Sequence, residues 1–288
     1  MAVEDEIQFE RDGHVARVWL NRPHKKNCVT VPILDRLDEI ITEVDADPEL
    51  RVLVLRGRGN TFCSGFDLDS LKADFVGRSN AIDVAVKSAK VCDRLYSMKT
   101  PSIAVLEGHV TAGGFELMIS CDFAIAADDA LIGDFHIRRA LFGGAGPIYR
   151  VPRMIGVRKT KELMLTGKLL TGVEAAEFGL INSSAPADKL DATVEEFADQ
   201  LVDKSPFTMW ITKMTIDRSL DADIQSLMVM EHLAVGVMLN SEDAAEGVSA
   251  FLEKRAPPWK GRRAPGRRPG ARSAAPGGPT ARGPATPP

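Results

Sequence analysis

The 288-residue chain is 44% hydrophobic and 26% charged, the balance of a globular protein that buries a full core. Its net charge of −4 is uneven: seven basic residues and no acidic ones lie in 256–288, leaving 29 basic against 40 acidic residues before them. An acidic body repels nucleic acid, so a polyanion would have to meet the tail, and no apolar run approaches the ~20 residues of a membrane span.

The first residues, MAVEDEIQFERDG, are acidic and carry no apolar stretch, so no secretory leader is expected. Four scattered cysteines (Cys28, Cys63, Cys92, Cys121) form no CxxC pair and no ligand-like spacing with histidine. They predict buried free thiols in a reducing cytoplasm, with no metal site and no disulfide.

HVARVWL (14–20) reads as the first strand. An amphipathic helix follows over 31–45, with Ile33, Leu34, Leu37, Ile40, Ile41 and Val44 at helical spacing. RVLVLRG (51–57) and PSIAVLEG (101–108) are β-branched runs ending in glycine, the mark of buried strands feeding turns, and 79–98 between them is a second amphipathic helix. DFAIAA (122–127) adds a strand. Alternating strands and helices up to about residue 150 predict an α/β layer architecture. Beyond Pro152 helical segments dominate: 157–165, 171–178, 188–204, 207–220, 224–239 and 241–253. They suggest a cap or an assembly surface. Nine of the 17 prolines crowd into 256–288, a composition that cannot build a core and reads as disordered.

Two loops stand out chemically. In EGHVTAGGFELM a strand ends, the chain turns, and a helix opens on glycines; its first amides lack intrahelical partners and favour an anion. Gly113 and Glu116, three apart, lie on one helix face, within reach of a carbonyl bound at Gly113. The plain alternative is a Gly-Gly cap with an exposed glutamate. The loop Ser64-Gly65-Phe66-Asp67 after strand 51–57 offers a second set of amides. Two such loops placing one N–H each on the same oxygen make an oxyanion hole.

These residues carry a resemblance. Leu20-Asn21-Arg22-Pro23 with Asn27, Phe62–Leu68, Thr100-Pro101, Gly113–Leu117 with Cys121-Asp122, Leu165-Thr166-Gly167, 175–181 and the ending 246–261 together resemble the enoyl-CoA hydratase/isomerase (crotonase) superfamily, in order over about 4–261. The resemblance implies a crotonase-like spiral of repeated ββα units over 1–195, a helical trimerisation region over 196–258, and a tail from 259 to 288. It also implies acyl-CoA thioester substrates, a homotrimer or hexamer, and no cofactor beyond the coenzyme A of the substrate. Carried over, the oxyanion hole falls on the amides of Phe66 and Gly113, and Glu116 takes the place of the first catalytic glutamate. Ser64, Asp67, Leu68 and Lys25 fall on substrate- or CoA-binding positions.

The second catalytic glutamate belongs in a pattern like Gly-Gln-Pro-Glu, where this chain has Gly133-Asp134-Phe135-His136. Imidazole titrates near neutrality and can act as acid or base, so a Glu116/His136 pair is workable for adding or removing water. The alternatives are decarboxylation, C–C hydrolysis or isomerisation on the same enolate hole, or a loop histidine bonded to Asp134. Arg138 and Arg139 stand where apolar residues are usual and hint at a polar or anionic acyl group. His24, with Lys25 and Lys26, belongs to a basic loop, either beside CoA phosphates or solvated; His109 reads as structural. A Ser64–His109–Asp122 triad is discounted for want of a GxSxG elbow. Asp67 and Asp122 read more naturally as backbone caps. A remote alternative is a non-catalytic RNA- or partner-binding protein using the basic tail, against which the chain retains Gly113–Glu116.

Overall fold

The computed structural model describes residues 3–261. A single turn, α1 (Val3–Glu6), leads into the hairpin β1 (Ile7–Asp12) and β2 (Val15–Leu20). Then follow a 3₁₀ turn at Pro23–Lys25, α2 (Val31–Ala46), β3 (Val52–Gly57), α3 (Leu68–Asp74), α4 (Ala81–Ser97) and β4 (Ser102–Leu106). The site region holds β5 (His109–Thr111), α5 (Gly113–Met118), β6 (Phe123–Ala127), β7 (Leu131–Gly133) and a 3₁₀ turn at His136–Arg139. The rest is α6 (Pro147–Ile155), α7 (Val157–Thr166), α8 (Gly172–Phe178), β8 (Ser183–Ala185), α9 (Leu190–Val202), α10 (Pro206–Arg218), α11 (Ile224–Leu239) and α12 (Glu242–Glu253).

Six strands form one sheet in the order β1-β2-β3-β4-β6-β8, antiparallel only at the β1–β2 edge. β3 and β4 are buried nearly throughout, as expected of central strands covered on both faces. The six apolar residues read at helical spacing in 31–45 are the six that α2 buries. β5 and β7 make a separate parallel pair, Val110 opposite Ile132 and Thr111 opposite Gly133. Neighbouring parallel strands release their loops at the same sheet edge, so the chain leaving β3 meets the chain leaving β4. An isolated bridge between Cys63 and Val110 joins them.

The contact is close. A Cβ on Gly114 would lie 2.1 Å from the Cys63 carbonyl oxygen, so only glycine lets α5 pack against the 63–66 loop.

The region beyond Pro152 is less purely helical than its sequence suggests, because β8 pairs in parallel with β6. Ser183-Ser184-Ala185 has neither length nor β-branching; its strand geometry comes from that pairing. β1 was also hidden, since its last three residues are exposed and charged. Residue 195, the expected end of the core, lies inside α9. Of the expected tail, 259–261 are tied down: Trp259 Nε1 donates to the Asp203 carbonyl (2.8 Å) and the Lys260 amide to Asp243 Oδ1 (2.9 Å). Residues 262–288, with six of the seven tail cations, lie outside the described residues.

Among the described residues no helix is long and apolar enough to cross a membrane, and all four cysteines are buried and unpaired. Burial pushes the Cys63 and Cys92 thiols up to about 12, so neither is a reactive thiolate.

α10 is tied to the core by a buried ion pair. Lys213 Nζ lies 2.8 Å from Asp122 Oδ1, while Asp122 Oδ2 accepts from the Ser102 amide (2.8 Å) and hydroxyl (3.1 Å). Removing one partner strands the other charge in the interior. Lys213→Met is therefore expected to cost about 3 kcal/mol of stability in urea titrations, and adding Asp122→Asn to recover part of it. A double variant whose loss equals the sum of the Lys213→Met and Asp122→Asn losses would show the pair is uncoupled.

Candidate active site

A cavity of about 680 Å³ opens at the meeting of the two loops. Its wall includes Lys25, Ser64, Phe66, Asp67, Leu68, Glu116 and His136, all singled out from the sequence; at Gly113 it is the preceding residue, Ala112, that lines it.

Gly65, at φ +110°, lets its loop abut α5: a Cβ there would lie 2.9 Å from Ala112 Cβ and 3.1 Å from the Gly113 nitrogen. A Cβ on Gly113 would lie 3.4 Å from the Phe66 nitrogen, which places the two amides side by side. Among the described residues neither amide has a protein acceptor. Val29 uses the flanking Gly65 carbonyl and Asp67 amide and leaves Phe66 N–H free. Ala112 sits at φ +52°, ψ −120°, a strained geometry for a residue with a Cβ. Its ψ sets the plane of the peptide that carries the Gly113 N–H, so the strain fixes where that donor points.

Glu116, one turn into α5, is 6% exposed, so the reading of it as an exposed cap residue is excluded. Its Oε1 accepts from the Ala145 amide at 2.9 Å. Burial raises its pKa above the ordinary 4.5, against the lowering influence of His136 and the Ala145 and Gly144 amides.

His136 faces the cavity and is also bonded to Asp134, Nδ1 to Oδ1 at 2.9 Å. A place on the cavity wall and a bond to Asp134, treated as alternatives in the sequence, coexist. Burial, the largest influence, pulls the imidazole pKa down, but the hydrogen bond and charge of Asp134, with Glu116, lift it above 6.5. Asp134 is 2% exposed, and its carbonyl accepts the Ala112 amide at 2.9 Å. A Cβ on Gly143 would lie 3.1 Å from both Asp134 Oδ1 and Glu116 Oε1; a side chain there would fill the space between the two acids.

The other positions divide. Asp67 reaches the cavity, but its Oδ1 caps α3 through the Asp69 and Ser70 amides, and Oδ2 is 3.1 Å from Arg22 Nη2. Lys25 pairs with Asp69 at 2.7 Å, and Leu68, about half exposed, lines the mouth. Ser64 presents its backbone to Thr111 Oγ1. His109 Nε2 contacts Lys26 Nζ (3.2 Å) and Asp122 belongs to Lys213, so the two take no part in a triad with Ser64. Arg138 donates to the Gly167 carbonyl (2.9 Å), whereas Arg139 lines the cavity. The Ala145 amide was invisible in the sequence, since a main-chain donor from a loop of small residues has no signature.

The sequence matches the family model of Enoyl-CoA hydratase/isomerase over residues 10–262. The chain belongs to that family. A short-chain enoyl-CoA hydratase of Clostridium acetobutylicum is 30% identical over 253 residues, 86% of this chain and 95% of that protein. The mouse mitochondrial enoyl-CoA hydratase domain-containing protein 2 is 31% identical, over 86% of this chain and 85% of its own. The crystal structure of an enoyl-CoA hydratase from Bacillus anthracis matches with a TM-score of 0.85 at 31% identity, covering 89% of this chain and all of that one. This hydratase/isomerase family enzyme thus has the crotonase fold, and in it the two loops and Glu116 surround a single cavity.

The raised Glu116 pKa has a consequence for stability. Its folded-state pKa exceeds the unfolded one, so the native state holds the proton more tightly and stability falls as pH rises from about 4.5 through the folded value. Glu116→Gln is expected to melt above wild type at pH 8, with the gap closing toward pH 4.5. A variant melting below wild type at pH 8 would show that the carboxylate is stabilising.

Proposed function

We propose that this enzyme adds water to 2-enoyl-CoA thioesters, with Glu116 and His136 as its acid–base pair. The observation that carries the reading is that both side chains line the cavity beside the unpartnered amides of Phe66 and Gly113. Glu116, as carboxylate, accepts a proton from water as the water oxygen bonds Cβ. The π electrons move to the thioester oxygen, and the enolate is held by the two amides. With Nδ1 on Asp134, Nε2 is the ring nitrogen left to deliver a proton to Cα, and the enolate collapses to the 3-hydroxyacyl thioester. Proton transfer from Glu116 back to His136 restores the pair. Nothing is oxidised, and the only coenzyme is the substrate's own CoA.

The raised His136 pKa suits the donor role, since imidazolium then persists above pH 6.5. We further propose a homotrimer or hexamer. α11 is apolar around its circumference, with Ile224, Leu233 and Leu239 exposed, and Phe251 and Leu252 of α12 extend the face that such an assembly would cover. The buried free thiols fit a cytoplasmic location.

Hydration of crotonyl-CoA, followed by loss of enoyl-thioester absorbance, tests the reading. Glu116→Gln and His136→Ala are each expected to lose about 10²–10⁴-fold in kcat. A wild-type enzyme that binds CoA thioesters but is inert here, while releasing CO₂ or a carboxylic acid from dicarbonyl thioesters, would replace hydration with decarboxylation or C–C hydrolysis.

The pH profile gives a second check. Activity needs Glu116 ionised and His136 protonated, so it falls below the raised Glu116 pKa and above the raised His136 pKa. Asp134→Asn removes the main influence that lifts His136 and leaves burial, the largest one, opposed by Glu116 alone. The alkaline limb of kcat/KM is expected to move to lower pH, and an unmoved limb would exclude His136 as the acid.

A further inference from the structure

The cavity holds a cation that the proposed chemistry does not use. Arg139 closes the 3₁₀ turn that begins at His136. In a 3₁₀ helix residues i and i+3 eclipse, so Arg139 lies on the same face as His136, about 6 Å along the axis. The turn is fixed at both ends by left-handed residues, Phe135 at φ +60° and Ala140 at φ +53°. Both arginines pack their guanidinium groups over the Phe135 ring, with Cζ at 5.2 Å for Arg138 and 5.0 Å for Arg139. Beyond that ring they separate: Arg138 spends its Nε on Gly167, and only Arg139 turns to the cavity.

Most neighbouring charges are already paired, Lys26 excepted, since it meets a ring nitrogen and no carboxylate. Lys25 meets Asp69, Arg22 meets Asp67, His136 meets Asp134, and Lys26 contacts His109. Among the described residues Arg139 has no carboxylate partner, and the cavity it lines also has apolar Val84, Ala85, Leu141 and Phe142 in its wall. A guanidinium on the cavity wall, one 3₁₀ turn from His136 and without a carboxylate of its own, is a receptor for a carboxylate, with planar donors matched to two oxygens.

We infer that the substrate is a short acyl-CoA whose acyl chain ends in a second carboxylate, and that Arg139 binds it. The inference rests on the acyl-CoA reading of the site but not on hydration itself. With His136 at Cα and the amides on the thioester oxygen, the chain beyond Cβ runs toward the next residue on the turn's cavity face, which is Arg139.

Binding of unreactive saturated thioesters separates this inference from the chemistry. Calorimetric Kd values would be measured for glutaryl-CoA, butyryl-CoA and free CoA with wild type, Arg139→Met and Arg139→Lys. Wild type is expected to prefer glutaryl- over butyryl-CoA by about 10–100-fold, the scale of a charge-assisted hydrogen bond. Arg139→Met should bring that ratio near unity and Arg139→Lys should retain part of it. Equal wild-type affinity for the two thioesters overturns the inference, as does a preference that survives Arg139→Met. Free CoA weakened by Arg139→Met as much as glutaryl-CoA also overturns it, since Arg139 would then read the CoA phosphates. A charge preference in binding without turnover of either crotonyl- or glutaconyl-CoA keeps this inference and removes hydration.

Discussion

The site depends on one buried carboxylate. Asp134 is 2% exposed and bonds in two directions: its carbonyl to the Ala112 amide, its side chain to His136. The first bond pins the strained residue that aims the Gly113 N–H; the second sets the charge and tautomer of the imidazole. A buried carboxylate is costly unless it is paired, and here the partner is the His136 ring. Raising the His136 pKa and burying Asp134 are therefore one arrangement, and the Gly113 amide is tied to the same residue.

Glu116 is held from the opposite side by a second buried charge. Arg150, 5% exposed, donates to Ser120 Oγ at 2.8 Å and to the Ala145 carbonyl at 3.4 Å. Ser120 Oγ donates to the Glu116 carbonyl, and the Ala145 amide donates to Glu116 Oε1. One guanidinium thus braces both the backbone and the carboxylate of the same glutamate. The faces of Tyr96 and Tyr149, 4.6 and 5.3 Å away, replace part of the water it has lost.

Much of this was legible in the sequence for a physical reason. α2 and the strands β3, β4 and β6 are long enough for periodicity to show, and the glycines at 65, 113 and 114 mark places where backbone must approach backbone. What stayed hidden has no local signal. β5, β7 and β8 are three residues each and are strands only because they pair. Arg150, in IYRVPRMIG, looks like a surface charge on an amphipathic helix. The split between Arg138 and Arg139 is set by the i, i+3 geometry of a turn whose existence depends on two left-handed residues, neither of them glycine.

The histidine that looked like a departure from the family pattern is consistent with its electrostatics. In a pair of carboxylates, mutual repulsion raises one pKa and so provides an acid at neutral pH. Here Asp134 lies close enough to Glu116 to raise its pKa, while His136, to which Asp134 is bonded, acts on Glu116 in the opposite direction. The order Glu116, His136, Asp134 alternates in sign. Asp134 lifts the His136 pKa, and His136 works against the burial that raises the pKa of Glu116. The arrangement sets an imidazole, not a second carboxylate, in the cavity with Glu116, and the turn that begins at that imidazole carries Arg139 to the same wall.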